Sequence, residues 1–467
     1  MTLQTLNAVD GAADARAEFD RVLDGLWPVL NRLHGMEASR RFWGILLHRY
    51  IAKYLLAVRA GGPFGDPPDP PMGDEPVLGV RQGDNAGEAR SPASPARRRR
   101  SLMELAERAA TEWRLRGRWT DARSVVLGFH RYNVIPHLVP RPAALLRIQS
   151  AAAPGWDGGA RRRLKELAAD RAFDAHRDVL AWLPSWYVEE FRSCYDGVVV
   201  SGAHAKEFHA SYISTPDERM TVARYVEAGA RLTFYQHAAM YGEVPDHFMY
   251  FAETSLGDRL RTWGWRQGPK DEPFVATRLM KPRHERFSHR PGSDRILYVM
   301  IRQPLPVLFD RTIETQRRFF EALGDDARRV VIRPRVNKGG NADLQVLPDV
   351  RSRIAGLDDG TTRMADLVSG AGVVVLDMMP STLLMECITA DVPVVAIIPS
   401  GTVFTPQAAE FYETFVQAGL LHTSPEAAAR FVARLDPETW WSHVRRQDWF
   451  ADYCHIFCNR DRARIHA

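Results

Sequence analysis

The sequence predicts an α/β protein of two Rossmann-like domains facing a cleft, with a helical N-terminal extension. Three observations predict it. Short apolar, β-branched runs alternate with helical stretches from about residue 101 onward. The alternation pauses at WGWRQGPKDEP (263–273), an apparent inter-domain passage, and restarts at DRILYVM (294–300). The runs are apolar and sit between helices, the pattern of a mostly parallel sheet covered on both faces. Ligands of such folds bind beyond the carboxyl ends of the strands.

The elements follow in order. Residues 15–59 read as helical, with Trp43, Leu47, Tyr50, Ile51, Tyr54 and Leu55 recurring at three- and four-residue steps. Residues 61–100 are rich in Pro, Gly and charge, too polar to offset their ordering entropy, and read as a mobile insertion. The run Arg97–Arg100 within it reads as a solvated helix start, with contact to lipid phosphates as the competing reading. SLMELAERAATEWRLRGRW (101–119) reads as a helix, and SVVLGFH (124–130), DGVVVSGA (196–203) and RLTFYQHA (231–238) as strands. The second alternation has strands in DRILYVM, RRVVIRPR (328–335), AGVVVLD (371–377) and VPVVAII (392–398), then closing helices. The expected organisation is therefore a helical extension (1–60), the insertion (61–100), a first Rossmann-like domain (101–275), a second (290–440) and a terminal helix (441–467). No repeat of solenoid period is present.

Bulk properties narrow the class. The chain has 467 residues, 45% hydrophobic and 25% charged, with a formal charge of +5. Arg97–Arg100 and their neighbours carry much of that excess, so the balance does not indicate nucleic-acid binding. The four cysteines, Cys194, Cys387, Cys454 and Cys458, form no C-x-x-C pair, and only His455 stands near the last two, so no metal site is expected. Few cysteines suit a reducing cytoplasm. The N-terminus lacks the apolar core of a signal peptide, and no apolar run approaches the ~20 residues of a membrane span. The expected location is the cytoplasm, with peripheral contact at the inner membrane face as an option.

Three stretches could carry chemistry. In AGVVVLDMMPSTLLMECITA a buried strand ends at Asp377, and Ser381 and Thr382 then sit where a helix begins. Free amides and the helix dipole favour phosphate there. Glu386, four residues beyond Thr382, lies on the same face and could accept two ribose hydroxyls. The competing reading makes Ser381 a plain N-cap and Glu386 a solvated helix residue. In TFYQHAAMYGE (233–243), His237 follows directly on an apolar strand, where an imidazole with an ordinary pKa of ~6.5 could deprotonate an acceptor hydroxyl. Gln236 could orient it or bind donor, and Gly242 permits a turn other residues resist. The competing reading is a strand-end histidine bonded to a backbone carbonyl. In VVIRPRVNKGG, Arg333 ends a strand, and Arg335 and Lys338 lie in a glycine-flanked loop suited to a diphosphate or to plain surface charge. His130 in LGFHRYN is a second candidate for base or acceptor binding. The chain lacks G-x-x-x-x-G-K-[ST], G-x-G-x-x-G and G-x-S-x-G patterns. It also lacks a D-x-D triplet, which favours metal-independent donor binding by helix ends and arginines.

Taken together, these strings resemble a known family. SRRFWGILLHRYIAKYLL (39–56) resembles the amphipathic N-terminal helix of a family of bacterial surface-polysaccharide transferases first named from Leptospira. TFYQHAAMYGE resembles that family's glutamine–histidine–glycine-rich loop, and WGW, DMMPSTLLMECITADVPVV and HTSPEAAARFV with the following WW match in the same order. The resemblance covers most of the chain except 61–100.

The family is similar to capsule Kdo transferases and teichoic-acid polymerases of GT-B type. The resemblance therefore implies a GT-B glycosyltransferase that moves a sugar from a nucleotide-activated donor to a glycan or lipid-linked acceptor. His237 would be the base, and Ser381 and Thr382 the phosphate ligands. The donor is a substrate, and no cofactor is implied. A polyol-phosphate transferase, a nucleotide-sugar epimerase and a non-catalytic polysaccharide-assembly module remain as alternatives. The chain departs from the family where Gly-Gly after the histidine becomes Ala238-Ala239.

Overall fold

The fold is that of a computed structural model of the chain. It describes residues 12–59, 124–127, 143–145, 156–169, 179–180, 183–198, 205–211, 213, 215–245, 248–276, 279, 287, 289, 291–300, 306–334, 346–377, 381–398 and 402–458. The insertion at 61–100, with Arg97–Arg100, and the helix expected at 101–119 lie outside the described residues. The chain divides into two compact units, one built on Val9–Tyr235 with Phe248–Arg261 and the other on Gln236–His247 with Thr262–Ala467.

The first unit opens with helices α1 (Ala12–His34) and α2 (Arg40–Arg59). Gly35 separates them at φ +59°, a left-handed conformation that ends a helix at little cost for glycine. Asn31 then staples the corner: its Nδ2 donates to Ala38 O at 2.8 Å and its Oδ1 accepts from Trp43 Nε1 at 2.7 Å. The apolar stripe of α1 (Phe19, Val22, Leu23, Leu26, Leu30) is 0–1% exposed, as are Phe42, Trp43, Leu46 and Leu47 of α2. Ser39 bonds Glu227 through both its N–H and its hydroxyl, at 2.8 and 2.6 Å. The helical N-terminal extension thus packs into the unit's core through both helices.

A sheet whose strands up to β5 begin in this unit runs in the order β2-β1-β3-β4-β5-β6. Its strands are β1 (Ser124–Leu127), β2 (Ala143–Leu145), β3 (Glu207–Ala210), β4 (Arg231–Tyr235), β5 (Arg259–Thr262) and β6 (Asp271–Pro273). The β1–β2, β1–β3, β3–β4 and β4–β5 pairings are parallel. The strand expected at 196–203 falls mostly on residues the structure does not describe. Asp196 and Gly197 instead close helix α3 (Phe191–Gly197), and residues 199–203 lie outside the described set. The sheet's strand β3 was not read from the sequence, because Glu207 and His209 interrupt its apolar pattern. His209 is 4% exposed, bonded to Tyr235 Oη at 3.2 Å and 3.4 Å from a Glu207 oxygen.

The second unit carries a sheet of order β12-β11-β10-β7-β8-β9, parallel in its paired strands. Its strands are β7 (Ile296–Val299), β8 (Val330–Arg333), β9 (Gly356–Leu357), β10 (Val373–Leu376), β11 (Val394–Ile397) and β12 (Leu421–His422). Counted within the unit this is the 3-2-1-4-5-6 order of a Rossmann sheet, and its winding reverses between β7 and β10. Residues Val373–Leu376 are each at most 2% exposed. Phe319, Phe320 and Leu323 of helix α4 (Pro306–Leu323) and Ala428, Ala429 and Val432 of helix α5 (Pro425–Arg434) complete the core. Each large apolar side chain so buried contributes about 1.5–3 kcal/mol. The closing stretch read as one helix is two, α6 (Pro437–Val444) and α7 (Asp448–Cys458).

Candidate active site

The winding reversal places the ends of β7 and β10 where a doubly wound sheet takes its ligand. Asp377 follows β10 directly; it is 4% exposed and its N–H donates to Val299 O at 3.2 Å, tying the two strand ends together. Burial, and then the nearby charge of Asp377, hold the Tyr298 hydroxyl well above the usual tyrosine range. Residues 378–380 lie outside the described set. Helix α8 (Thr382–Thr389) begins next, with Ser381 as N-cap: its Oγ accepts the N–H of Leu383 at 3.2 Å. Thr382 Oγ1 accepts the N–H of Ala239 at 3.1 Å. Each hydroxyl has accepted one bond and keeps its own hydrogen to donate. Glu386, on the same helix, is 3% exposed. It is neither the solvated residue nor the open ribose contact that its spacing suggested, because the helix turns it into packed protein.

The other half of the site is the turn after β4. Gln236 is 1% exposed and fully engaged. Its Oε1 accepts from Trp263 N and Trp265 Nε1, both at 2.8 Å, its Nε2 donates to Ala238 O at 2.9 Å, and its carbonyl accepts from Trp263 Nε1 at 2.9 Å. Trp263 and Trp265 are 1% and 2% exposed, so the indoles of WGW are a buried support for the turn, and the chain passes from one unit to the other just before them, between Arg261 and Thr262. These bonds, with those of Glu243 below, place Gln236–His247 in the second unit.

His237 itself is half-buried, with Nδ1 at 3.1 Å from the hydroxyl of the fully buried Tyr241. Met240 lies at φ +81° and Gly242 at φ +74°. A Cβ on Gly242 would come within 2.3 Å of the Trp265 ring. Its carbonyl accepts from Thr405 Oγ1 at 2.8 Å. Glu243, 1% exposed, accepts the Met240 N–H at 2.9 Å on Oε2, and on Oε1 the hydroxyls of Tyr412 at 3.0 Å and Tyr453 at 2.8 Å. The structure thus joins the histidine turn to the start of α8 by a direct bond two residues from His237.

Other expected residues are placed apart from this pair. Arg333 is committed to the loop after β9, where its guanidinium holds the Asp358 carboxylate and donates to Thr362 O at 3.0 Å and Gly360 O at 3.3 Å. It anchors that loop and does not stand open for a diphosphate. Arg335, Lys338 and His130 lie outside the described residues. Tyr241, Glu243, Thr405, Tyr412 and Tyr453 were missed by sequence reasoning. The one signal was the pair of tryptophans in WGW, too large and apolar for a solvent-exposed passage. Among the described residues, no helix is long and apolar enough to cross a membrane. No group of three or more His, Cys, Asp or Glu among them is arranged to hold a metal.

A family model described as LIC12162 family transferase matches residues 127–466. The chain belongs to this family. The matched stretch of the transferase includes both the His237 turn and the start of α8. A comparison with curated protein sequences gives no match. Among solved structures the transferase is similar to the wall teichoic acid polymerase TagF, at 10% identity and a TM-score of 0.35, covering 79% of this chain and 96% of that one. It is also similar to an α,α-trehalose 6-phosphate synthase from Burkholderia multivorans, at 12% identity and a TM-score of 0.37 over 74% of this chain and 96% of that one. A UDP-forming α,α-trehalose-phosphate synthase from Burkholderia vietnamiensis gives 13% identity and 0.36, over 74% and 95%.

Proposed function

We propose that this transferase is a GT-B-type glycosyltransferase of bacterial surface-polysaccharide synthesis. It moves a sugar from a nucleotide-activated donor to a glycan or lipid-linked acceptor. The single observation that carries the reading is the Ala239 N–H···Thr382 Oγ1 bond of 3.1 Å. It sets a histidine beside a helix start at the reversal point of a Rossmann sheet.

In this reading the donor diphosphate meets the amino end of α8, where the O–H groups of Ser381 and Thr382 and the helix dipole favour negative charge. Tyr241 Oη accepts the Nδ1–H of His237, which leaves the lone pair on Nε2. Nε2 takes the proton of an acceptor hydroxyl as that oxygen attacks the anomeric carbon. The bond from that carbon to the donor phosphate breaks, and the nucleoside diphosphate leaves with its electron pair. Backside attack of this kind inverts the anomeric centre.

The test is turnover of a panel of nucleotide sugars by H237N. Loss of a positioned base costs about 10²–10⁴-fold in rate. The reading expects a loss of that size, with thermal stability and donor affinity near those of the parent. Parental turnover in a folded H237N would remove His237 from the mechanism.

A further inference from the structure

Glu243 takes no part in the steps above, yet it is buried beside them with three donors on its two oxygens. A carboxylate removed from water is costly unless its lone pairs are filled. Here the donors come from three places: the turn itself, helix α9 (Pro406–Gln417) through Tyr412, and α7 through Tyr453. We propose that Glu243, clamped by Tyr412 and Tyr453, is the positioning residue of the His237 imidazole. The two helices late in the chain then set the geometry of the base. The proposal rests on the reading of His237 as that base.

The path is short. Glu243 Oε2 fixes the N–H of Met240, a residue held at φ +81°, a conformation unfavourable for any side chain other than glycine. The next residue, Tyr241, carries the hydroxyl that meets His237 Nδ1. From the other side Thr405, the N-cap of α9, binds the carbonyls of Gly242 and Glu243, both at 2.8 Å. Release of Glu243 frees Met240 to leave the left-handed region, and Tyr241 turns with it.

Glu243→Gln keeps the volume but brings an NH₂ group into a ring of donors. The backbone N–H of Met240 cannot turn away, so the amide oxygen must stay with it, and both tyrosine hydroxyls must turn round to accept from the new NH₂ in place of donating. Tyr412→Phe and Tyr453→Phe remove the same donors one at a time.

The experiment uses the full chain with ¹³C-labelled histidine, the His237 ring signal being assigned by its loss in H237N. We expect that signal to shift or split in E243Q and in Y412F/Y453F, with the signals of His34 and His48 unmoved. Nucleotide-sugar turnover should fall at unchanged donor affinity. A parental His237 signal in folded E243Q and in the double variant would overturn the clamp. Should E243Q fail to fold, Y453F alone decides by the same signal. H237N turnover judges the base reading separately, so the two can fail independently.

Discussion

Ser381 uses one oxygen twice. It caps α8 by accepting the Leu383 N–H at 3.2 Å, and in the proposed mechanism its hydrogen goes to the donor phosphate. Ser381→Ala should therefore lose about 1 kcal/mol of stability from the cap, read by calorimetric melting. Donor binding should weaken by a further ~1–3 kcal/mol, read by titration calorimetry. A plain cap would give the first loss without the second. Gly242 offers a sharper contrast. Gly242→Ala must carry a side chain at φ +74° and push a Cβ into the Trp265 ring, 2.3 Å away. The backbone term is about 1–2 kcal/mol and overpacking adds about 1–3 kcal/mol. Gly35 is also left-handed, at φ +59°, but a Cβ there meets nothing within 4 Å, so Gly35→Ala should show the backbone term alone. Equal melting losses in the two variants would argue against the Trp265 contact.

The first two helices carry more than their position suggests. Five side chains of α1 (Phe19, Val22, Leu23, Leu26 and Leu30) are at most 1% exposed. At about 1.5–3 kcal/mol each, their loss is of the same size as the ~5–15 kcal/mol by which a domain is stable. Deletion of residues 12–34 should leave the first unit unfolded, visible as lost near-ultraviolet circular dichroism; a folded, active deletion would make α1 an accessory. The sequence displayed the second of these helices by its periodicity, from Trp43 to Leu55. It displayed β10 and α8 equally well, because Val373–Leu376 is a fully buried run and Ser381 a recognisable cap. The turn between Gln236 and Glu243 was legible as a histidine after a strand, with Gln236 beside it and Gly242 to permit the turn. What holds it is a buried glutamate whose partners come from residues up to 210 positions away, and no local pattern marks such a contact. WGW was half legible for a related reason: its flanking Gly, Pro and charge read as a passage, and no spacing shows that its two indoles are committed to Gln236. Arg333 looked like a diphosphate ligand because spacing cannot reveal that Asp358 is its partner.

At the scale of the molecule, acid should act first on the first unit. Burial lowers His34 to about 4, His48 to about 3 and His209 to about 4. Unfolded, each returns to ~6.5 and takes up a proton that the folded form refuses. Their contribution is present above that value and is lost as pH falls toward 4, at up to roughly 1.4 kcal/mol per pH unit for each histidine. Glu243 works in the opposite sense, since burial raises its pKa and its ionised form costs more as pH rises, but it lies in the second unit. Melting temperature should drop clearly between pH 7 and pH 5, and a flat profile would mean these imidazoles are not buried neutral. The central claim is that the His237 turn and the Ser381–Thr382 helix start serve one ligand. Its most direct measurement is the His237 ring signal during titration with nucleoside diphosphates, CDP, UDP, GDP and dTDP in turn. The account predicts that at least one of them moves that signal in the parent and does so much more weakly in Ser381→Ala. Tight nucleotide binding that leaves the His237 signal in place would contradict it.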